Sequence, residues 1–227
     1  MSLKAQENAS PWTYGAPLFA KSPAKKVVMF AVAILLLFTF SYFAVDGWRR
    51  LQVNNFLEKA RDSYTEGKLT EAKRVYQRVL VLNPASADAN FGLGLIEGTK
   101  NPGRAIKFYK KAAALNPSQA DYFAFTAYTY HNGFKDYGQA ISWIKKAIKI
   151  DPKSSSYHAT LGLFLLHSKR DDDAIKEYKK AVQLAPDNVV AHKKLAQIYK
   201  SNGLDALAAN HKSLIKSINK VEEERIF

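Results

Sequence analysis

The chain has no cysteine in 227 residues, and that gap removes disulfides, thiolate metal sites and cysteine nucleophiles together. Acid is scarce too. Asp and Glu number 20 against 34 Lys and Arg, a formal charge of +14, which favours acidic or neutral partners. Histidine is limited to five residues, the remaining candidates for metal or acid-base work. A glycine-rich nucleotide fingerprint is lacking: GLGLIEG at 92–98 has the wrong glycine spacing and no strand before it, so it reads as helix packing. The DDD run at 171–173 begins a helix, where carboxylates cap amides and meet the positive dipole end, so capping is preferred over metal binding. With no Ser, His and Asp constellation, the chain is read as a non-enzyme without a cofactor.

What is present, first, is a long apolar run. VVMFAVAILLLFTFSYFAV at 27–45 holds nineteen residues without a charge; as a helix it extends about 28 Å, against about 30 Å for a hydrocarbon core. Lys25 and Lys26 precede it, and Trp48, Arg49 and Arg50 follow, as interfacial and snorkelling anchors do. A cleaved signal peptide fits less well, because the run is too long and Tyr42 and Phe43 spoil the small-residue cleavage pattern beside Ala44. The spacing predicts a single spanning helix over 27–45, a mobile tail over 1–26 and a juxtamembrane linker over 46–52. The tail holds Pro11, Pro17 and Pro23 and the aromatic stretch PWTYGAPLF at 11–19, read as interfacial or as a short docking motif. The lysines nearest the span favour a cytoplasmic N-terminus, with the rest of the chain on the other side.

Beyond the span the chain repeats itself. AKRVYQRVLVLNP at 72–84, AIKFYKKAAALNP at 105–117, AISWIKKAIKIDP at 140–152 and AIKEYKKAVQLAP at 174–186 share one skeleton, and their closing prolines stand 33, 35 and 34 residues apart. Each block places a small residue (Ala72, Ala105, Ala140, Ala174), a large one four later (Tyr76, Tyr109, Ile144, Tyr178) and then Val79, Ala112, Ala147 or Ala181. That spacing is one face of a helix, along which a neighbour approaches closely. The proline ends the helix. Upstream of each block lies a second apolar pattern with Gly94, Ala127, Gly162 and Ala196 at the helix crossing, and Ala60 in the first unit. Ser86, Ser118, Ser154 and Asp187 are expected as N-caps, and Asn101-Pro102 as a cap followed by a first-turn proline. The unit is a helical hairpin of about 34 residues.

With NFGLGLIEG…RAIKFYKKAAALNP in the second unit and ATLGLFLLHSKRDDDAIKEYKKAVQLAP in the fourth, the chain resembles the tetratricopeptide repeat family over about 53–220. The resemblance implies an all-α fold, a right-handed superhelix of five hairpins at 53–86, 87–119, 120–154, 155–188 and 189–220, with a concave groove lined by first helices. Lys59 departs from the pattern, and Lys212 replaces the large residue of the fifth unit, whose second helix is expected as a polar cap. Residues 221–227, VEEERIF, are expected as a fraying tail, since three glutamates oppose the helix dipole; Phe227 is a candidate for a carboxylate-binding partner domain.

Carried over residue by residue, the resemblance implies a groove of Leu57, Arg61, Tyr64, Phe91, Leu95, Ala124, Tyr128, His131, Leu163, Leu166, His167, Lys193 and Gln197. Family members that hold the carboxylate tails of heat-shock chaperones need Lys and Asn on the first repeat and Lys and Arg on the third. Here Leu57, Arg61, Asp121 and Phe125 stand there, so no chaperone-tail clamp is expected, and an apolar helical or extended segment fits better. His158 and His192 are expected as interior packing residues. His131 and His167 are expected at the turn-proximal ends of first helices, too few to hold a metal. Lys110-Lys111, Lys145-Lys146 and Lys179-Lys180 recur with the period and should form an outer stripe, either a solvated face or a contact for lipid headgroups or an acidic partner. Nucleic acid is not expected, because aromatics do not alternate with these lysines. The resulting expectation is a membrane-tethered scaffold that binds protein partners in its groove, in assembly of a membrane or envelope complex. A permanent subunit of a larger membrane complex and a lipid- or acidic-partner module are the alternatives. In sealed vesicles that expose the cytoplasmic face, the repeat region should resist added protease until detergent opens the membrane; digestion without detergent would reverse the orientation.

Overall fold

A computed structural model describes residues 23–98 and 100–226; most of the expected tail, with PWTYGAPLF, and Phe227 lie outside the described residues. Contacts divide the chain into Met1–Leu51 and Gln52–Phe227. Ten α-helices follow one another among the described residues: α1 (Pro23–Thr65), α2 (Leu69–Leu82), α3 (Ala87–Glu97), α4 (Pro102–Leu115), α5 (Ala120–Thr129), α6 (Tyr137–Ile150), α7 (Ser155–His167), α8 (Asp171–Leu184), α9 (Val189–Ser201) and α10 (Asp205–Ile226). No strand occurs among them.

The apolar stretch of α1 is long and apolar enough to cross a membrane, with mean hydropathy 2.5 over an 18-residue window and none of that window buried. Residues 46–52, expected as a juxtamembrane linker, are helical, inside α1. No proline falls between Pro23 and Pro84, and Asp46 pairs with Arg49 at 2.7 Å and Arg50 at 2.8 Å, one turn on, so nothing there breaks the helix. At the other end α10 reaches Ile226, with a Lys220–Glu224 pair at 3.8 Å.

Within the second unit, helices pair as hairpins, α3 with α4, α5 with α6, α7 with α8 and α9 with α10, and each second helix also packs on the next first helix. The C-terminal part of α1 plays the first-helix role in the first hairpin. Val53, Leu57 and Ala60 share a cluster with Ala72, Val75, Tyr76 and Val79. The expected seam is the buried core: Ala72, Ala105, Ala140, Ala174 and Ala208 are all at or below 2% exposure, as are Ile144 and Tyr178. Opposite the tyrosines the chain leaves no room. A Cβ at Gly92 would lie 2.2 Å from the Tyr76 ring, and one at Gly94 would lie 2.4 Å from Tyr109.

Caps followed the sequence only in part. Ser86, Asn101 and Ser154 accept from the amides of Ala89, Arg104 and Tyr157. Ser118 instead donates to Asn116 Oδ1 at 2.7 Å, leaving Gln119 before α5. Asn188, not Asp187, caps α9, because its amide oxygen sits one residue nearer the helix. None of Asp171, Asp172 and Asp173 caps an amide; they occupy the first turn of α8 after Arg170, where Asp173 accepts from Arg170 at 2.6 Å. Asp136, unnoticed in the sequence, caps α6.

Between α5 and α6 the helix ends in a π-helical turn, Tyr130–Phe134. The spacing explains it. Ala127 and Ala140 stand 13 residues apart, whereas Gly162 to Ala174 and Ala196 to Ala208 each span 12, and a π turn absorbs one extra residue without shifting either helix. Lys135 closes it in the left-handed region, at φ 55°, and Gly133 lies so close to Pro102 that a Cβ would sit at 2.6 Å.

Gly94→Ala should therefore lower stability by about 1–3 kcal/mol through overpacking against Tyr109, despite the better helix propensity of alanine. Gly103→Ala, where the nearest atom would be 3.8 Å away, should be neutral or slightly stabilising. Urea unfolding of both variants checks the contrast.

Candidate functional site

The first helices α3, α5, α7 and α9, with the C-terminal part of α1, present equivalent positions to one side. One row reads Leu57, Phe91, Ala124, Ala159, Lys193; the next reads Arg61, Leu95, Tyr128, Leu163, Gln197. Two clefts open along them. One, of about 380 Å³, lies among α1, α3 and α5 and joins Arg61, Tyr64, Phe91 and Leu95 with Asp88, Asp121 and Tyr122. The other, of about 210 Å³, lies among α5, α7 and α9, where Tyr128 and Leu163 meet Ser156, Thr160, Val190 and Lys194.

Between the clefts lies an aromatic platform. The Phe91 ring is 5.0 Å from Tyr122 and 5.1 Å from Phe125, Phe125 is 6.5 Å from Tyr128, and Tyr128 is 5.7 Å from Phe164. Phe125 and Tyr128 are each 36% exposed, a large apolar area for side chains so well surrounded. Edge-to-face and tilted pairing of this kind holds rings in place.

Hydrogen bonds join successive first helices on the same side. Asp88 accepts from Arg61 at 3.1 Å and from the Tyr122 hydroxyl at 2.9 Å. Asp121 accepts from the Tyr157 hydroxyl at 2.6 Å, and Tyr128 and Thr160 share a hydrogen bond of 2.7 Å. Burial, and then the neighbouring carboxylate, push the Tyr122 and Tyr157 hydroxyls well above the usual tyrosine range, so both remain donors at neutral pH.

Of the residues expected to line the groove, Arg61, Tyr64, Phe91, Leu95, Tyr128, Leu163, Leu166, His167, Lys193 and Gln197 are exposed or half-buried. Leu57, Ala124 and His131 are corrections, being buried. Leu57 is covered by the packing of its own hairpin, and the methyl of Ala124 is too short to emerge beside Phe125 and Tyr128. His131 is drawn inward at the π turn: its ring stacks on Phe164 at 4.6 Å, and its Nε2 meets His167 Nδ1 at 2.6 Å. Phe125, Asp88, Tyr122 and Thr160 were missed. Their signal was available as neighbours of the chosen positions on the same helical face.

His158 and His192 are buried, as interior packing requires. His158 contacts Glu177 at 2.7 Å and the Pro152 carbonyl, and His192 contacts His211 at 2.7 Å and the Pro186 carbonyl. Among the described residues no cluster of three or more metal-ligating side chains occurs. On the outer face Lys110, Lys111, Lys145, Lys146, Lys179 and Lys180 are all exposed, on α4, α6 and α8. None is in an ion pair among the described residues. Lys110 donates to the Tyr130 hydroxyl at 2.9 Å, and Lys146 lies 3.9 Å over the Trp143 ring.

Models of the tetratricopeptide repeat match residues 57–120 and 127–154, and a TPR repeat model matches 165–203. No curated protein matches the chain significantly. Among solved structures, MamA is similar at 21% identity over 73% of this chain and 96% of its own, with a TM-score of 0.65. Pseudomonas aeruginosa PilF is similar at 21% identity over 78% of this chain and 87% of its own, with a TM-score of 0.69. YrrB, described as a TPR protein with an unusual peptide-binding site, shares 16% identity over 72% of this chain and 84% of its own, with a TM-score of 0.57. At these identities the likeness is one of fold.

A hydrogen bond between two imidazoles needs one nitrogen with a proton and one without. Burial first, then His167 and Lys135, lower the His131 pKa against the opposing contact with Asn132. A histidine with a lowered folded pKa leaves the unfolded chain binding more protons below about pH 6.5, so its stabilisation is present above that value and lost as pH falls toward the lower one. The melting temperature should drop on acidification from pH 7.5 to 5, and His131→Phe should flatten that slope. An unchanged slope would show that His131 binds its proton alike in the folded and the unfolded chain.

Proposed function

Since the chain belongs to the tetratricopeptide-repeat family, whose members are in general non-enzymatic protein-interaction scaffolds, we propose that it is a membrane-tethered scaffold that holds protein partners in its groove. The observation that carries this reading is the exposed aromatic platform of Phe91, Phe125 and Tyr128 between two clefts. Aromatic side chains supply much contact area at low entropic cost. A single polypeptide segment crossing the first helices would cover the platform and reach both clefts. YrrB, described as having an unusual peptide-binding site, supports peptide binding by a protein of this fold.

The apolar stretch of α1 supplies the tether. Confinement to a bilayer raises the effective concentration of partners in the same membrane, so modest groove affinity suffices. This suits a scaffold in the assembly of a membrane or envelope complex, with the repeats on the side opposite a cytoplasmic N-terminus. A second reading, contact with anionic lipid or an acidic partner, is favoured by the six exposed outer lysines without ion pairs.

A photo-crosslinking residue placed at Phe125 or Tyr128 in the full chain, in its native membrane, should give protein adducts that the same residue at Lys146 does not. Adducts from Lys146 alone would transfer the function to the outer face.

A further inference from the structure

The two ends of the groove carry opposite charge, in a chain that is otherwise basic. Around the first cleft stand Asp88 and Asp121, and Glu58 occupies the row that continues through Gly92, Phe125 and Thr160 to Lys194. Among the described residues lining that cleft Arg61 is the one base, through an exposed contact of 3.1 Å with Asp88. The carboxylates are held in place by neutral phenols, Tyr122 on Asp88 and Tyr157 on Asp121, which orient them without cancelling their charge.

At the other end α9, VVAHKKLAQIYKS, contains no acid. Lys193 and Lys200 are exposed and Lys194 is half-buried at the second cleft, and none is in an ion pair among the described residues. The α7 positions facing that cleft, Ser156, Ala159, Thr160 and Leu163, are uncharged. Beneath them the Tyr178 hydroxyl is buried without a hydrogen-bond partner. Phe125 and Tyr128 of the aromatic platform stand beside Asp121 on α5, and α7, between them and α9, contributes no Asp, Glu, Lys or Arg.

Building on the groove reading above, we infer that the groove selects a polypeptide segment of fixed polarity: a Lys or Arg at the α1–α5 end, apolar residues over the platform, and a carboxylate at the α9 end. Asp121 on α5 and Lys193 on α9 are two helix spacings apart, about 20 Å, which an extended segment covers in about six residues. The charges set direction and register, and the platform supplies most of the contact area. A segment reversed in the groove places like charges together at both ends. That disfavours it, as does a uniformly basic or uniformly acidic segment.

The test is selection of random dodecapeptides displayed on phage, against the full chain in nanodiscs of neutral lipid at low salt, with Tyr128→Arg as the blocked control. Enriched peptides should carry Lys or Arg about five to seven positions from Asp or Glu, with apolar residues between. Lys193→Glu with Lys194→Glu, at side chains with no hydrogen bond or ion pair among the described residues, should turn the acidic preference at that end into a basic one. Asp88→Asn with Asp121→Asn keeps acceptors for both phenols and should weaken binding of the parent's peptides roughly fivefold, as loss of an exposed charge contact of about 1 kcal/mol does. Peptides that enrich over the blocked control but keep their charge pattern when the lysines are reversed would overturn the polarity inference and leave the groove reading standing. No enrichment over the blocked control would overturn both.

Discussion

A tyrosine ring set against a position with no side chain is the contact on which the repeat region depends. Tyr76 lies against Gly92, Tyr109 against Gly94 and Tyr178 against Gly162, and alanines at or near zero exposure flank each of them. Close-packed interiors tolerate neither a gap nor an added methylene at such a point. Because Tyr76, Tyr109, Ile144 and Tyr178 each fill the same place in the first four units, the hairpins stack in one register and their first helices come to lie side by side. The clefts are a consequence of that alignment. Move one seam and the neighbouring first helix turns its aromatic residues elsewhere.

On the groove side, side-chain hydrogen bonds do complementary work. Arg61, Asp88 and Tyr122 join α1, α3 and α5; Asp121 and Tyr157 join α5 and α7; Tyr128 and Thr160 join them again. Each bond is modest alone. Together with ring-on-ring packing they fix side chains that would otherwise lose freedom when a guest arrives, and such preorganisation raises affinity without a new contact. The wall of the groove is thus prepared on both sides of the helices, by apolar burial behind and by polar bonds in front.

The period, the seam and the helix-ending prolines were legible because they follow from spacing alone: Ala72, Tyr76 and Val79 lie where three residues of one helical face must lie. Caps were less so. Ser118 and Asp187 satisfied the residue rule, yet Gln119 and Asn188 stand at the helix starts, since cap identity turns on a single residue of register. The extra residue between Ala127 and Ala140 was visible as a count, but a longer loop and a π turn fit the count equally well. The π turn decides where His131 points, so its expected groove placement failed with it. At the groove, helical geometry identified the correct side and about the correct rows. It did not say that Leu57 would be covered by its own hairpin, nor that Phe125, weighed only as a departure from a chaperone clamp, would stand out in the middle of the platform.

Residues that keep the period and residues that break it divide the labour between them. Ala105, Ala140 and Ala174 recur because every hairpin must accept its neighbour in the same way, and a change at any of them strains the stack. Along the groove the equivalent positions run Leu57, Phe91, Ala124, Ala159, Lys193 and Asn54, Asp88, Asp121, Ser156, Val190, with no two ends alike. Stacking buries Leu57, Ala124 and Ala159 but places no such demand on Phe91, Lys193 or the second row, whose side chains are exposed or half-buried and free to differ. The outer lysine pairs sit on the periodic side of that division. They recur on α4, α6 and α8 and give way to Ser213 and Leu214 on α10, a pattern that keeps a basic surface hydrated on those three helices and encodes no register. On the groove reading proposed above, discrimination between guests comes from the aperiodic face, where charge changes sign along the direction in which the hairpins are stacked.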